Sequence, residues 1–373
     1  GSEPRATRVL RDQGITGAME EDSIWTNLVN MYKRYQSDEI PGARVRASVG
    51  GDIQEVVSDE EGYVYFELHP TELPTVDDIW YDIALELLDY PGKDENPEEP
   101  QEVKATGKVI VPPSDAQFGV ISDVDDTVLK TDVLDIIAMA RNTFLMNSRT
   151  RLPFEGVAAF YQALRRGNGK AYNPIYYVSS SSWNLYDLLH DFFVVRNIPI
   201  GPMFLTDLGM DAHQLISPSH HEHKLKAIQT LLDTHPDLKF ILVGDSGQKD
   251  PEIYLEVISK NPGRILAVYI RDVTPEQRDI SVKEIAGQAL ALGVEMLPVA
   301  DTVAAAVHAS THNWINPEAL PMIAEDTVED KKAPTPLEEA LKPGIQGEPR
   351  AAQTDPATQP PEAPLEGGQG SNR

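Results

Sequence analysis

Two patterns of apolar and polar positions succeed one another along the 373-residue chain. From Pro41 to about Val111, apolar residues recur mainly at every second position: Val45, Ala47 and Val49, then Val57, then Tyr63 and Tyr65, then Trp80, Ile83, Leu85 and Leu87, and finally Val103, Val109 and Val111. Such alternation marks strands with one buried face, because successive side chains of a strand point to opposite sides of the sheet. Turn-forming runs separate them, among them Ser58-Asp59-Glu60-Glu61-Gly62 and Tyr90-Pro91-Gly92-Lys93-Asp94, so a small antiparallel β-sandwich is expected over 40–113. Ahead of it, Ile24, Leu28 and Met31 fall at helical spacing behind Asp22 and Ser23, which suit a helix N-cap. Residues 1–39 are therefore read as a helical segment that packs on the sandwich.

After Pro112-Pro113 the pattern changes. Short apolar runs at 119–122, 175–178, 239–243, 265–270 and 294–299 alternate with amphipathic segments. In one of these Leu225, Ile228, Leu231 and Leu232 share a helical stripe, and in another Pro251 stands at a helix's first turn. Runs apolar at every position are strands buried on both faces, and their alternation with helices predicts a parallel sheet covered on both sides. The expected class is α/β, with a Rossmann-like catalytic domain over 114–323. Beyond about Ala324 the composition shifts to Pro, Glu, Gly, Gln and Ala, and 324–373 reads as a disordered, acidic, Pro-rich tail.

Composition narrows the partners. At 41% hydrophobic residues the chain can bury a sizeable core, while a formal net charge of −27 and a pI near 4.6 disfavour general attraction to nucleic acid or to an anionic membrane. An anionic substrate must then be met locally, by a cation or a metal. The absence of cysteine excludes disulfides, thiolate zinc sites and a thiol nucleophile. No run of 18 or more apolar residues occurs, and no apolar segment resembling a secretory leader follows Gly1. The expectation is a cytoplasmic protein whose membrane contact, if it has any, is peripheral.

Candidate chemistry collects at the predicted strand ends, where open α/β sheets bind their ligands. The stretch Phe118 to Asp132 runs from an apolar strand into Asp123, Asp125 and Asp126, with Thr127 behind them. The next strand closes on Ser179 within a run of four serines, Lys224 opens an amphipathic helix, and a later strand closes on Gly244 and Asp245. Together they suit phosphate-ester hydrolysis through an aspartyl-phosphate, with Asp123 as nucleophile. A carboxylate approaching a phosphate dianion needs a hard divalent cation, and Mg²⁺ takes oxygen ligands. Asp123, Asp245 and the Asp125 backbone carbonyl would hold it. The Asp125 side chain would act as general acid and then base, Lys224 would neutralise the transferring group, Ser179 would hold one of its oxygens, and Thr127 would fix the turn.

These four elements, in this order, resemble the haloacid dehalogenase superfamily, with its D-x-D-x-T, Ser/Thr, Lys and G-D-x-x-x-D motifs. More narrowly, "SDVDDTVLKTDV", "YYVSSSSWNLYDLL", "HKLKAIQTLL" and "FILVGDSGQKDPEIY" resemble the phosphatidate phosphatase family of fungi over roughly Gln117 to Asp272. The segment "SDEIPGARVRA…DEEGYVYFEL" resembles the domain that precedes the catalytic part in bacterial members. The resemblance implies an Mg²⁺-dependent phosphatase acting on a phospholipid, phosphatidate. Asp250 follows Asp245 at a spacing one residue longer than the family motif.

Several assignments have two readings. Asp250 ahead of Pro251 suits a helix N-cap as well as a metal ligand. Ser180 or Ser181 can take the phosphate contact in place of Ser179, any of the serines can cap the helix expected near Trp183, and Lys224 alone would read as a solvated helix residue. His220, His221 and His223 have no accompanying ligand motif, and a hard cation does not favour imidazole. Between the first two motifs, Leu134, Ile137, Met139, Phe144, Leu145 and Met146 occur with Arg141, Arg149 and Arg151. They form either a cap helix that receives acyl chains or an ordinary core helix. The alternatives to a lipid phosphatase are a phosphatase of phosphoserine proteins or soluble metabolites, and a non-catalytic phosphate-sensing protein. Oligomeric state is not legible.

Overall fold

A computed structural model describes residues 5–8, 40–60, 62–73, 78–91, 103–124, 156–169, 171–183, 186–206, 220–272 and 276–330. The alternating first part forms strands Arg44–Val49 (β2), Asp52–Val57 (β3), Tyr63–Phe66 (β4), Trp80–Asp89 (β5) and Val103–Ile110 (β6). Four of them make an antiparallel sheet in the order β3-β2-β5-β6. Val45 and Ala47 of β2, Ile83 of β5 and Val109 of β6 share a buried cluster with Val64 and Phe66 of β4, so β4 lies across the face that alternation predicted to be apolar.

The amino-terminal expectation needs correction. Arg5–Arg8 (β1) is a strand, paired antiparallel with β4 from Arg5 opposite Phe66 to Arg8 opposite Tyr63. The four-residue β4 is not part of the larger sheet, and β1 supplies backbone partners along it, a long-range requirement that local spacing does not reveal. The helix expected around Ile24 to Met31 lies outside the described residues.

The second part alternates strands Gly119–Asp123 (β7), Ile175–Ser182 (β8), Met203–Thr206 (β9), Phe240–Asp245 (β10), Ile265–Arg271 (β11) and Glu295–Val299 (β12) with helices. The helices are Val157–Arg166 (α1), Tyr186–Val195 (α2), His220–Thr234 (α3), Asp250–Lys260 (α4), Glu276–Ala291 (α5), Thr302–Thr311 (α6) and Leu320–Asp330 (α7). All neighbouring strands of this six-stranded sheet are parallel, in the order β12-β11-β10-β7-β8-β9. Alternate residues of a strand serve opposite faces. Val120, Ile241 and Val243 pack with α1, α2 and α6, whereas Ile121, Leu242 and Val268 pack with α3, α4 and α5. Each such side chain is buried and contributes about 1.5–3 kcal/mol by leaving water. The expected α/β class with helices on both faces is therefore present. The antiparallel part joins it through Ile79 and Ile110, which pack into the α3–α5 side, and through an ion pair between Asp78 and Arg165 of α1.

One boundary moves. The helix Leu320–Asp330 continues past residue 323, where a disordered tail was expected, because Ile323 and Thr327 are buried and Asp326 accepts a hydrogen bond from the Ala159 backbone N–H at 3.1 Å. Thr327 also packs against Gly156 at the start of α1. Sparse apolar positions in an acidic segment suffice when they have a preformed face to cover. Residues 331–373 lie outside the description.

Candidate active site

The strand order places a reversal between β7 and β10: the chain winds from β7 outward to β8 and β9, then returns to β10 on β7's other side and continues to β11 and β12. At such a switch point the loops leaving the carboxyl ends diverge and open a crevice. Asp123 ends β7 and Asp245 ends β10, so the two carboxylates stand on either side of that opening. Both are withdrawn from solvent, at 3% and 8% exposure, together with Asp250 at 0% and Lys224 at 2%.

Lys224, in the first turns of α3, joins the acids. Its Nζ lies 2.8 Å from Asp123 Oδ1 and 2.8 Å from Asp250 Oδ1, and donates to Gln248 Oε1 at 2.9 Å. Three acceptors thus surround an ammonium that has three protons. The contact with Asp123 is a buried ion pair. The solvated-helix reading of Lys224 does not hold.

The capping reading of Asp250 is also corrected. Asp250 begins α4 but its carboxylate does not cap it: Oδ1 accepts from Lys224, and Oδ2 accepts from the Asp245 backbone N–H at 3.1 Å. The longer spacing from Asp245 is taken up by a turn in which Asp245 Oδ1 accepts from Gly247 N at 2.7 Å and Gln248 N at 3.1 Å. Gly244 makes the arrangement possible, since a Cβ there would come within 2.5 Å of Asp250 Oδ2.

The charges do not balance locally. Burial pushes the Asp123 carboxyl well above the usual carboxylate range, and Asp250 and Asp245 push the same way while Lys224 opposes them. Burial would by itself lower the Lys224 pKa, but Asp123 and Asp250 outweigh it and hold the ammonium charged beyond the ordinary lysine value. Among the described residues one cation thus faces three carboxylates, each with an oxygen within 4.8 Å of the others. This all-oxygen donor set suits a hard divalent cation.

The serine run differs from expectation. β8 continues through Ser182, so Ser179 is inside the strand and is not the first residue beyond it. The pairing with β9 slips between Val178 and Ser182, a bulge directly after the residue opposite Asp123. Ser179 Oγ accepts from Ser181 N at 3.0 Å, and Thr206 Oγ1 donates to the Ser180 carbonyl at 2.6 Å, pinning the bulge. Ser180 Oγ is buried with no hydrogen-bond partner, which makes it the hydroxyl of this run best fitted to a ligand oxygen. The helix expected near Trp183 is present: Trp183 lies in a 3-10 turn and an α-helix runs from Tyr186.

Asp125 and Thr127 lie outside the described residues, as does the apolar and basic stretch from Leu134 to Arg151. His221 pairs with Glu256 at 3.2 Å and His223 Nε2 is 3.4 Å from the Phe204 carbonyl, and neither joins a metal-ligating cluster among the described residues.

Sequence reasoning missed the supporting residues. The buried Tyr161 hydroxyl lies 2.6 Å from Ser122 Oγ, which donates to the Asp123 carbonyl at 2.9 Å and steadies the strand end. Gln248 was in view but had no assigned role. Arg278 of α5 grips the loop after β10: it donates to the carbonyls of Ser246 at 3.1 Å and Gln248 at 2.9 Å while pairing with both Glu252 oxygens at 2.6 and 2.7 Å. No local signal marks it, because its partners are about 30 positions away in the chain. Arg278→Ala is expected to lower kcat by roughly tenfold, because a loosened loop displaces Gln248 and Asp245. Its unfolding midpoint should move little, since the pair with Glu252 is partly exposed. Steady-state kinetics beside a urea titration checks both.

A parallel α/β sheet thus carries three buried carboxylates and a lysine at its switch point, a charge arrangement suited to an oxyanion accompanied by a cation. Residues 118–272, which include every proposed site residue, match the family described as phosphatidate phosphatase APP1, catalytic domain. The chain is 35% identical over 164 residues to phosphatidate phosphatase APP1 of Saccharomyces cerevisiae, covering 44% of this chain and 27% of that protein. It is 32% identical over 157 residues to an uncharacterized protein, C29B5.04c, of Schizosaccharomyces pombe, covering 42% and 25% respectively. The matched part thus spans about a quarter of the length of these curated relatives. A crystal structure of a carbohydrate acetylesterase from Xanthomonas citri is 14% identical, with a TM-score of 0.22 over 69% of this chain and 70% of that one, too slight a likeness to carry an argument.

Proposed function

We propose that this chain hydrolyses a phosphomonoester by the chemistry of the haloacid dehalogenase superfamily, and that its substrate is phosphatidate. The observation that carries the reaction class is the buried contact of Lys224 with Asp123 and Asp250 beside Asp245, at the carboxyl ends of adjacent strands. The substrate comes from the named activity of the yeast relative.

In the first step a carboxylate oxygen of Asp123 attacks phosphorus, and the bond from phosphorus to the alcohol oxygen breaks. Asp125 gives its proton to the departing alkoxide, releasing diacylglycerol. Asp125 then takes a proton from water, which attacks the phospho-aspartate and returns Asp123 and inorganic phosphate. Lys224, held charged, faces the attacking carboxylate and offsets the negative charge gathering on the transferred group. Ser180, with the bulge behind it, donates its hydroxyl to a phosphoryl oxygen. Asp123, Asp245 and Asp250, with the Asp125 carbonyl, would hold Mg²⁺, which when bound masks the repulsion between carboxylate and phosphate. Among the described residues no helix is long and apolar enough to cross a membrane.

The test is phosphate release from phosphatidate micelles, phosphoserine peptides and sugar phosphates, with Mg²⁺ and with EDTA. Release from phosphatidate only, lost in EDTA, is the expected result. Preference for a peptide or sugar phosphate would overturn the substrate, and absence of release from all three would overturn the reaction.

A further inference from the structure

Away from the carboxylate centre, a second group of potential ligands converges where the α/β sheet has its edge. Glu295 is the first residue of β12, at the strand's amino end, whereas Asp123 and Asp245 close their strands at the opposite end of this parallel sheet. His308 and His312 lie four positions apart, on α6 and immediately after it. That separation brings two side chains to the same face of a helix. Their Nε2 atoms lie 2.7 and 3.6 Å from the same Glu295 oxygen, and the three ligand atoms fall within 4.8 Å of one another.

Hydrogen bonding determines which nitrogens face the carboxylate. His312 Nδ1 lies 3.0 Å from the His308 backbone carbonyl, which can only accept, so that nitrogen carries the proton. In the neutral ring Nε2 is then the nitrogen with the lone pair, and it faces Glu295, another acceptor, so that a cation between them relieves the opposition. His308 Nδ1 is 2.9 Å from the Tyr269 hydroxyl, leaving its Nε2 turned to Glu295 as well. Metal-bound imidazoles are commonly oriented this way, with the far nitrogen held by a carbonyl or other oxygen. Trp314 stacks on the His312 ring at 4.6 Å and limits its rotation.

We infer that His308, His312 and Glu295 form a binding site for a zinc-class divalent transition metal, with three protein ligands and water at the remaining position. Two imidazoles and a carboxylate suit zinc and are poor ligands for Mg²⁺, so the site is chemically distinct from the all-oxygen centre. Bonds of about 2.0–2.1 Å in a tetrahedral shell place ligand atoms about 3.3 Å apart. Reaching that spacing requires Glu295 and His308 to separate slightly and His312 to close in. Glu295 and His312 are about half exposed, so an ion can enter from solvent. The inference does not depend on the phosphatase reading.

The test is titration of the untagged full chain with Zn²⁺ by calorimetry in excess Mg²⁺, and with Co²⁺ followed by visible absorption. One equivalent of zinc and the d–d bands of four-coordinate Co²⁺ are expected. His312→Ala and Glu295→Gln should each remove both signals at concentrations that saturate the unaltered chain, with the circular dichroism spectrum and phosphatase activity retained. Tyr269→Phe should weaken zinc binding by roughly 10–100-fold. Asp245→Asn should leave it unchanged. Absence of zinc uptake, or equal uptake by His312→Ala and the unaltered chain, would leave the cluster a histidine–glutamate contact without a metal and overturn the inference.

Discussion

Asp123→Asn is expected to abolish phosphate release, lowering kcat and kcat/KM together by on the order of 10⁴–10⁶, as when a residue that bonds to the reacting atom is removed. The amide keeps the carboxylate's shape and an oxygen that can face Lys224, so the fold should survive. Its stability should equal or exceed that of the unaltered chain. Asp123 is buried, its carboxyl is held well above its ordinary pKa, and replacing it leaves two buried acids against one lysine in place of three. Initial-rate measurements with Mg²⁺, paired with urea unfolding, read both parts. Activity within tenfold of the unaltered chain would remove Asp123 from the proposed chemistry. An inactive chain that is also markedly less stable would show that the residue holds the fold together.

Lys224→Met should have the opposite stability profile. The substitution roughly preserves the length of the side chain but deletes the ammonium that Asp123, Asp250 and Gln248 share. Removing one partner from a buried ion pair leaves uncompensated charge and costs about 3–5 kcal/mol. Lys224→Met should therefore unfold at distinctly lower urea and show no turnover. Because the excess charge resides on Asp123, Asp245 and Asp250, adding Mg²⁺ should recover part of the lost stability, and the Asp123→Asn/Lys224→Met pair should lose less than the sum of the single effects. Equal unfolding midpoints for Lys224→Met and the unaltered chain would mean that the lysine does not balance these acids.

Much of this was legible in the chain because the signals are local and periodic. Alternation at Val45, Ala47 and Ile83 marks a half-buried sheet, and the short apolar runs leading to Asp123 and Asp245 mark strands buried on both faces. Acids at the ends of such strands have few structural reasons to be there, so the run into Asp123 could be read as chemistry. Less legible were features that depend on partners distant in sequence. Asp250 looks like a helix cap beside Pro251, and only the approach of α3 and the turn at Gly247 and Gln248 make it an acceptor for Lys224. Ser179 looked like the end of a strand because the serines interrupt an apolar run, but pairing with β9 extends the strand through Ser182.

By itself, the sequence determined an antiparallel part followed by a parallel α/β part, together with the residue types that close the inner strands. Side-chain periodicity and residue chemistry are properties of neighbouring positions, so they can be read in one dimension. Strand order was decided only in three dimensions, and with it the placement of Asp123 beside Asp245, the burial of Lys224, the grip of Arg278 on its loop and the meeting of Glu295 with two histidines. The physical reason is that burial and charge balance belong to the space where distant segments pack, and those set the properties of each group.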